Sequence, residues 1–349
     1  MISKLGMPKW GLSMTEGKLL DWLVEEGAEV AVGQELAEVE TEKITGAVES
    51  TADGVLRRRV GQVGDVIPVG GLLGVIADAS ESDADIDAFV AEFQASFVPE
   101  AEEDAGAEPE MAGPLRFLRQ GEGDPVVLLH GFGGDLNNWL FALPVLAAEH
   151  SVYALDLPGH GGSSKDVGAG DLDALAGAVE QFLESQSLER VHLVGHSLGG
   201  LVAAEVARRG HARSLTLIAP AGLGTPVNRE YIDGFIAAES RRELKPVLQM
   251  LFADQSLVTR QLVDDVLKYK RIDGVTEALR TIADAAFTSA AELPDDIPVL
   301  IVWGAEDRVV PVAARDDVHV LQGAGHSPHM EAAGEVNRLM EGFLAKAHS

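Results

Sequence analysis

A chain of 349 residues exceeds one average domain and fits two. With no cysteine it cannot form disulfides, zinc thiolate sites or a cysteine nucleophile. Its formal net charge of −29 repels phosphate backbones and anionic lipid, so neither nucleic acid nor a membrane surface is an expected partner. Met1 to Trp10 lacks the basic start and apolar core of a signal peptide. No apolar run approaches the ~20 residues needed to span a bilayer, and a cytoplasmic location is expected.

Residues 1–78 read as an all-β domain with an internal repeat. Gly27-Ala-Glu-Val-Ala-Val-Gly33 is echoed by Gly64-Asp-Val-Ile-Pro-Val-Gly70 at an offset of 37. The same offset relates Leu19 to Leu56, Leu36 to Leu73 and Val39 to Ile76. Short alternating strands between glycine turns predict two similar sheets related by a pseudo-twofold axis. Between the halves, Val39 to Val48 reads as strand, tight polar turn and strand, with Lys43 in the turn.

Residues 79–112 are expected to form an acidic linker. Residues 79–110 hold eleven Asp or Glu, and no Lys or Arg occurs from Val60 to Leu115. Such a segment buries too little apolar surface to offset its ordering entropy. Within it, Ile86, Phe89, Val90, Phe93 and Phe97 fall at helical spacing behind Ser82 and Asp83. A short amphipathic helix over 84–97 follows, either packed on a neighbouring domain or docking a partner subunit.

Residues 113–349 alternate strands and helices. Strands are predicted at Pro125–Leu129, Ser151–Leu155, Arg190–Val194, Ser214–Ile218, Val299–Trp303 and Val318–Leu321. They are short, apolar and often β-branched, as buried parallel strands are. A mostly parallel sheet covered by helices follows. Residues 223–295 break the rhythm with helical patterns alone, such as Tyr231 to Glu239 and Ser256 to Tyr269. They predict a helical cap over the strand ends.

Gly195-His-Ser-Leu-Gly199 lies between a strand and a helical run. That context suits a serine nucleophile, Ser197, on a sharp turn at a helix N-terminus. A serine hydroxyl needs a base, and the base needs an orienting acid. Asp307 and His326 each follow a strand and come in the chain order expected after such a serine. His130-Gly-Phe-Gly-Gly134 follows the first predicted parallel strand. The backbone amides of Phe132 and Leu198 are the expected oxyanion donors. A lone Gly-x-Ser-x-Gly arises by chance; four parts in order are specific. His329 is the rival base and Asp156 the rival acid, while His196 and the turn Gly159-His160-Gly-Gly-Ser163 read as structural.

These motifs resemble those of the α/β-hydrolase family over essentially the whole of 113–349. Glu40-Thr-Glu-Lys-Ile44 resembles the Asp/Glu-Thr-x-Lys-x motif of lipoyl and biotinyl domains. Met7-Pro-Lys-Trp-Gly11 is similar to the start of acyltransferase lipoyl domains. Biotin carriers usually place Met on both sides of the lysine, whereas Glu42 and Ile44 flank Lys43. A lipoyl (barrel-sandwich) domain with lipoate on Lys43 is therefore expected. The C-terminus lacks the His-x-x-x-Asp-Gly signature of the usual trimeric acyltransferases. A lipoyl domain joined to an α/β-hydrolase domain resembles instead the acetyltransferase component of acetoin dehydrogenase complexes.

That resemblance implies partners and chemistry. A thiamine-dependent first component would acylate the lipoyl group, dihydrolipoamide dehydrogenase would reoxidise it, and a lipoate ligase would attach it. The acetyl group would pass through Ser197 to coenzyme A, with His326 as base, Asp307 as its orienter and no metal. Arg208, Arg209, Arg213, Arg229, Arg241, Arg242 and Lys245 are candidates for coenzyme A phosphates. Two other readings stay open: a serine esterase or thioesterase using water, and a carrier with an idle hydrolase domain.

Overall fold

The computed structural model describes residues 2–10, 14–41, 45–97, 108–224 and 226–347. The chain divides into two compact units, Met1–Gly106 and Ala107–Ser349.

In the first unit, glycine turns cut the chain into eight short strands. They are β1 (Ile2–Gly6), β2 (Glu16–Trp22), β3 (Glu29–Val30), β4 (Glu35–Glu40), β5 (Thr45–Glu49), β6 (Gly54–Arg59), β7 (Val66–Pro68) and β8 (Leu72–Ala77). They form two antiparallel sheets, ordered β1-β8-β6-β3 and β5-β4-β2-β7. Exchanging β1 with β5, β8 with β4, β6 with β2 and β3 with β7 converts one order into the other.

The hydrogen bonds obey the same symmetry. The Gly27 amide donates to the Leu56 carbonyl and the Gly64 amide to the Leu19 carbonyl, both at 2.7 Å. Gly27 and Gly64 have φ of +91° and +97°, the left-handed region that glycine enters without a Cβ clash. The repeat-related pairs Leu19/Leu56, Leu36/Leu73 and Val39/Ile76 fill the core, none more than 1% exposed. Burying each such side chain stabilises the fold by ~1.5–3 kcal/mol. The strands β4 and β5 pair as far as Glu40 and Thr45. Lys43, in the chain between them, lies outside the described residues.

The helix predicted over 84–97 is α1 (Asp83–Ser96), capped by Ser82, whose hydroxyl accepts the Asp85 amide. Ile86 is fully buried against Leu72, Val75 and Ala77, flanked by Phe89, Val90 and Phe93. Arg57 binds Asp83 at 2.9 Å and Arg58 binds Asp87 at 3.0 Å. The apolar face of α1 thus packs on the first unit's own sheet.

The segment expected as an acidic linker over 79–112 holds α1, where the short helix was expected, and closes in a strand, which was not. Residues 98–107 lie outside the described residues. Glu110–Ala112 is β9, paired with β10 (Leu115–Gln120) across a turn at Gly113. Glu110 and Met111 are exposed, so backbone ladder bonds rather than apolar burial hold β9. Composition alone therefore conceals it.

The second unit is one eight-stranded sheet, ordered β16-β15-β14-β13-β11-β12-β10-β9. Its remaining strands are β11 (Asp124–Leu129), β12 (His150–Leu155), β13 (Val191–His196), β14 (Ala212–Ile218), β15 (Val299–Gly304) and β16 (Val318–Leu321). Those six run parallel, while β9 and β10 are antiparallel at one edge. Helices α2 (Leu143–Leu146), α3 (Leu172–Ser185), α4 (Leu198–Val206), α9 (Pro328–Glu331) and α10 (Ala333–Ala347) accompany them. The cap region contributes α5 (Arg229–Ala237), α6 (Arg241–Leu248), α7 (Arg260–Lys270) and α8 (Val275–Ala285). No helix among the described residues is long and apolar enough to cross a membrane.

Candidate active site

The sheet order turns about β11, which leads in sequence to β12 on one side and lies beside β13 on the other. Crevices at such switch points, beyond the strands' carboxyl ends, are where open α/β sheets form sites. The His130 loop leaves β11 there, and Ser197 leaves β13.

Ser197 caps α4 with φ +53° and ψ −115°. That conformation costs of order 1–3 kcal/mol for a residue with a Cβ. Its surroundings impose it: a Cβ on Gly195 would strike the Gly199 carbonyl, and one on Gly199 the Leu129 carbonyl. The Ser197 amide donates to the Ile218 carbonyl at 3.0 Å, and its own carbonyl accepts from Gly200, Leu201 and Ala221. With its backbone so fixed, the hydroxyl stands at the positive end of α4.

Asp307 and His326 meet as a buried pair. His326 Nδ1 lies 2.7 Å from Asp307 Oδ2, both side chains being no more than 1% exposed. The rest of the carboxylate is saturated. Oδ1 accepts the Val309 and Val310 amides at 2.8 Å, and Oδ2 accepts Trp303 Nε1 at 3.0 Å. With Asp307 on Nδ1, the ring keeps Nε2 for a substrate proton.

His196, the residue before Ser197, is tied to His326. The His196 Nε2 lies 2.8 Å from the His326 carbonyl, so it donates there. Its ring centroid is 4.8 Å from that of His326. The His130–Gly134 loop packs on His196 and Ser197: a Cβ on Gly131 would stand 2.7 Å from His196 Nδ1 and 3.1 Å from Ser197 Cβ. Among the described residues, the Phe132 and Leu198 amides donate to no backbone carbonyl outside helices and strands. The Phe132 ring packs edge-on against Phe235 of α5 and against Phe287. Tyr231 Oη donates to the Phe132 carbonyl at 3.4 Å.

The rivals occupy other places. His329 is 1% exposed, its ring lies tilted against Trp139 and His196, and among the described residues neither ring nitrogen has a hydrogen-bond partner. Burial pushes it down to about 3, which keeps it neutral. Burial also pushes His196 well below the ordinary histidine value. Asp156 is held by Arg116 Nε at 2.6 Å and the amides of Leu136 and Gly162 at 2.8 and 2.7 Å. The turn Gly159–Ser163 wraps that carboxylate, and Ser163 Oγ donates to the Asp156 carbonyl. His160 in this turn is buried and pushed down to about 3.

Most of the basic candidates for phosphates are already engaged. Arg208 and Arg209 share Glu205, and Arg209 adds Asp173 and Glu180. Arg213 pairs with Asp124, Arg229 with Asp233, and Arg241 with Asp264. Arg242 and Lys245 of α6 remain. Sequence reasoning missed Trp303, which bonds Asp307, while His196, read there as structural, bonds the His326 carbonyl. Trp303 lies near the end of β15, four residues before Asp307, a spacing that could have suggested contact.

Fold and site together define an α/β-hydrolase-type enzyme carrying a lipoyl-type domain. Residues 126–339 match the model of the alpha/beta hydrolase family, and residues 3–76 match the model described as biotin-requiring enzyme, the biotin and lipoyl domain. An acetyltransferase component of the acetoin cleaving system from Pseudomonas putida is 47% identical, covering 99% of both chains. Its counterpart from Cupriavidus necator is 46% identical, covering 97% of this chain and 96% of that one. A solved meta-cleavage product hydrolase from Pseudomonas fluorescens is 25% identical with a TM-score of 0.61, covering 69% of this chain and 98% of that one. The chain belongs to the family of dihydrolipoyllysine-residue acetyltransferase components of acetoin cleaving systems.

Proposed function

We propose that this chain is the acyltransferase component of an acetoin or 2-oxo acid dehydrogenase complex. In this reading it moves an acetyl group from lipoate on Lys43 to coenzyme A through Ser197. The observation that carries it is a buried Asp307–His326 pair at 2.7 Å, beside a strained serine, in a chain that also has a lipoyl-type domain. The hairpin suits a tethered group, because Lys43 falls in the short connection left where β4 and β5 stop pairing at Glu40 and Thr45. A lipoate there supplies a dithiol that offers the acyl group as a thioester.

Ser197 Oγ attacks the acyl carbonyl while His326 Nε2 takes its proton. Asp307 remains a carboxylate, holds the ring and stabilises the imidazolium. The Phe132 and Leu198 amides donate to the oxyanion, each worth ~3 kcal/mol of barrier. On collapse, His326 returns the proton to the departing sulfur and the acetyl stays on Ser197 Oγ. His326 then takes the proton of the coenzyme A thiol. The coenzyme A sulfur attacks the acetyl carbonyl, and collapse restores the Ser197 hydroxyl. Thioester exchanges for thioester at little net cost, so water is the main competitor. Ser197 and His326 are only 4% and 1% exposed, which supports its exclusion.

A thiamine-dependent first component, dihydrolipoamide dehydrogenase and a lipoate ligase are the partners this role requires. A second reading, hydrolysis with water as acceptor, is favoured by the likeness to a meta-cleavage product hydrolase over 69% of this chain. The two separate when lipoylated protein is charged with acetyl groups and its products are counted. Acetyl-coenzyme A that rises with coenzyme A supports transfer; acetate alone, unaffected by coenzyme A, supports hydrolysis.

A further inference from the structure

The loops that carry Asp307 and His326 are not free at the sheet edge. Both are bound by hydrogen bonds to one stretch of the cap region, residues 249–254. From the base side, the Ser327 amide donates to the Leu251 carbonyl at 3.1 Å. From the acid side, Arg308 Nη2 donates to the Gln249 and Phe252 carbonyls, each at 2.6 Å. Between them sits Glu331, the last residue of α9. Its Oε2 accepts the Gly325 amide at 2.6 Å, and its Oε1 accepts the Ala253 and Asp254 amides at 2.7 and 3.2 Å.

One carboxylate thus clamps the residue before His326 to the cap segment. The two backbones touch directly: a Cβ on Gly325 would stand 2.8 Å from the Ala253 nitrogen and 2.9 Å from the Leu251 oxygen. Gly325 therefore has no bulk of its own to set the spacing, and the carboxylate sets it. Charge-assisted bonds from amides to a carboxylate are about twice as strong as neutral ones. Burial raises the Glu331 carboxyl against the opposite pull of those three amides.

We propose that Glu331 is a positioning residue, which acts with Arg308 to tie the base- and acid-bearing loops to cap segment 249–254 and so sets the placement of His326 over Ser197. The proposal rests on the reading of Ser197 and His326 as nucleophile and base. Glu331 touches no reacting atom. Its effect runs through the Gly325 peptide, one residue from the imidazole. A side chain that fixes a base in this way governs the rate of the chemical step and leaves substrate binding alone.

The test uses the full-length protein, p-nitrophenyl acetate as substrate and a fluorophosphonate to titrate reactive sites. Wild-type protein should label at Ser197 and Ser197→Ala should not. Failure there overturns the underlying reading rather than the role of Glu331. Rates are then taken per titrated site, so that unfolded molecules do not count. Glu331→Ala is expected to lower kcat by up to about 100-fold with KM unchanged, the scale set by a misplacement of order 1 Å. Glu331→Gln keeps one accepting oxygen but turns a donor toward an amide, and should fall between. Arg308→Met leaves Glu331 in place and should show the same loss in kcat at constant KM. A lowered melting temperature with kcat per site unchanged in Glu331→Ala and Arg308→Met would overturn the proposal. So would a rise in KM at constant kcat.

Discussion

The two units treat their reactive groups in opposite ways. The first is built twice over, from sheets whose hydrogen bonds and core leucines repeat at an offset of 37, and Lys43, its proposed attachment lysine, falls in the chain between β4 and β5. The second gathers serine, acid and base from three different strand ends and buries all three, at 4%, 9% and 1% exposure. A carrier needs stiffness and reach, which symmetry supplies. A nucleophile that must choose thiol over water needs convergence and desolvation, which a single asymmetric core supplies. The contrast extends to titration: all ten histidines lie at or after His130, and none in the first unit.

The contrast breaks first at the reactive residues. Ser197→Ala is expected to slow acyl transfer by at least about 10,000-fold, by analogy with removal of serine nucleophiles elsewhere, with lipoylation of Lys43 unchanged by intact mass. Lys43→Arg should do the reverse: no lipoyl adduct, but full turnover of p-nitrophenyl acetate. Loss of both activities in either variant would mean that the units are not functionally separate.

Asp307→Asn should cost about 10,000-fold in kcat, because the imidazole loses its orienting carboxylate and imidazolium partner. His329→Phe, with no partner to lose, should leave kcat nearly intact in the same assay. Within the first unit, Leu19→Ala and Leu56→Ala should destabilise by similar amounts, about 2–5 kcal/mol each by urea unfolding, since each leaves a cavity at an equivalent site. A large inequality would mean the pseudo-twofold is geometric but not energetic.

The most gradual effect is the pH dependence. His160 and His329 are pushed down to about 3, and His130 and His196 are also lowered, all by burial. The unfolded chain binds protons at these sites from ~6.5 downward while the folded chain does not. Stability of the second unit is therefore whole above ~6.5 and is lost toward about 3, at up to ~1.4 kcal/mol per pH unit per histidine. Calorimetry from pH 7 to pH 5 should lower the hydrolase transition more than that of the histidine-free first unit.

Much of this was legible in the sequence for identifiable reasons. The six parallel strands were found because burial on both faces makes them continuous apolar runs. The repeat was found because symmetric cores demand equivalent residues, and α1 because its apolar stripe is its packing face. The strand β9 stayed hidden because backbone bonds alone hold it. The helix α6 was obscured by Pro246 and its charged first turn. Ser197, Asp307 and His326 could be proposed from motif and order, but the His196 and Glu331 bonds around them could not. Those depend on which loops meet, and no local pattern records that. The ion pairs of the basic residues proposed for phosphates were only partly visible: Arg208, Arg209 and Arg229 have partners three or four residues away, whereas Asp124 and Asp264, the partners of Arg213 and Arg241, are distant in sequence.

The most direct test follows the acetyl group through one turnover. Lipoylated full-length protein, charged with labelled acetyl, is mixed with coenzyme A, quenched at short times and digested for peptide mass analysis. Label passing from the Lys43 peptide to the Ser197 peptide and then to acetyl-coenzyme A, with no transfer in Ser197→Ala, is the expected result. Acetyl-coenzyme A formed equally fast by Ser197→Ala, or label leaving only as acetate, would contradict it.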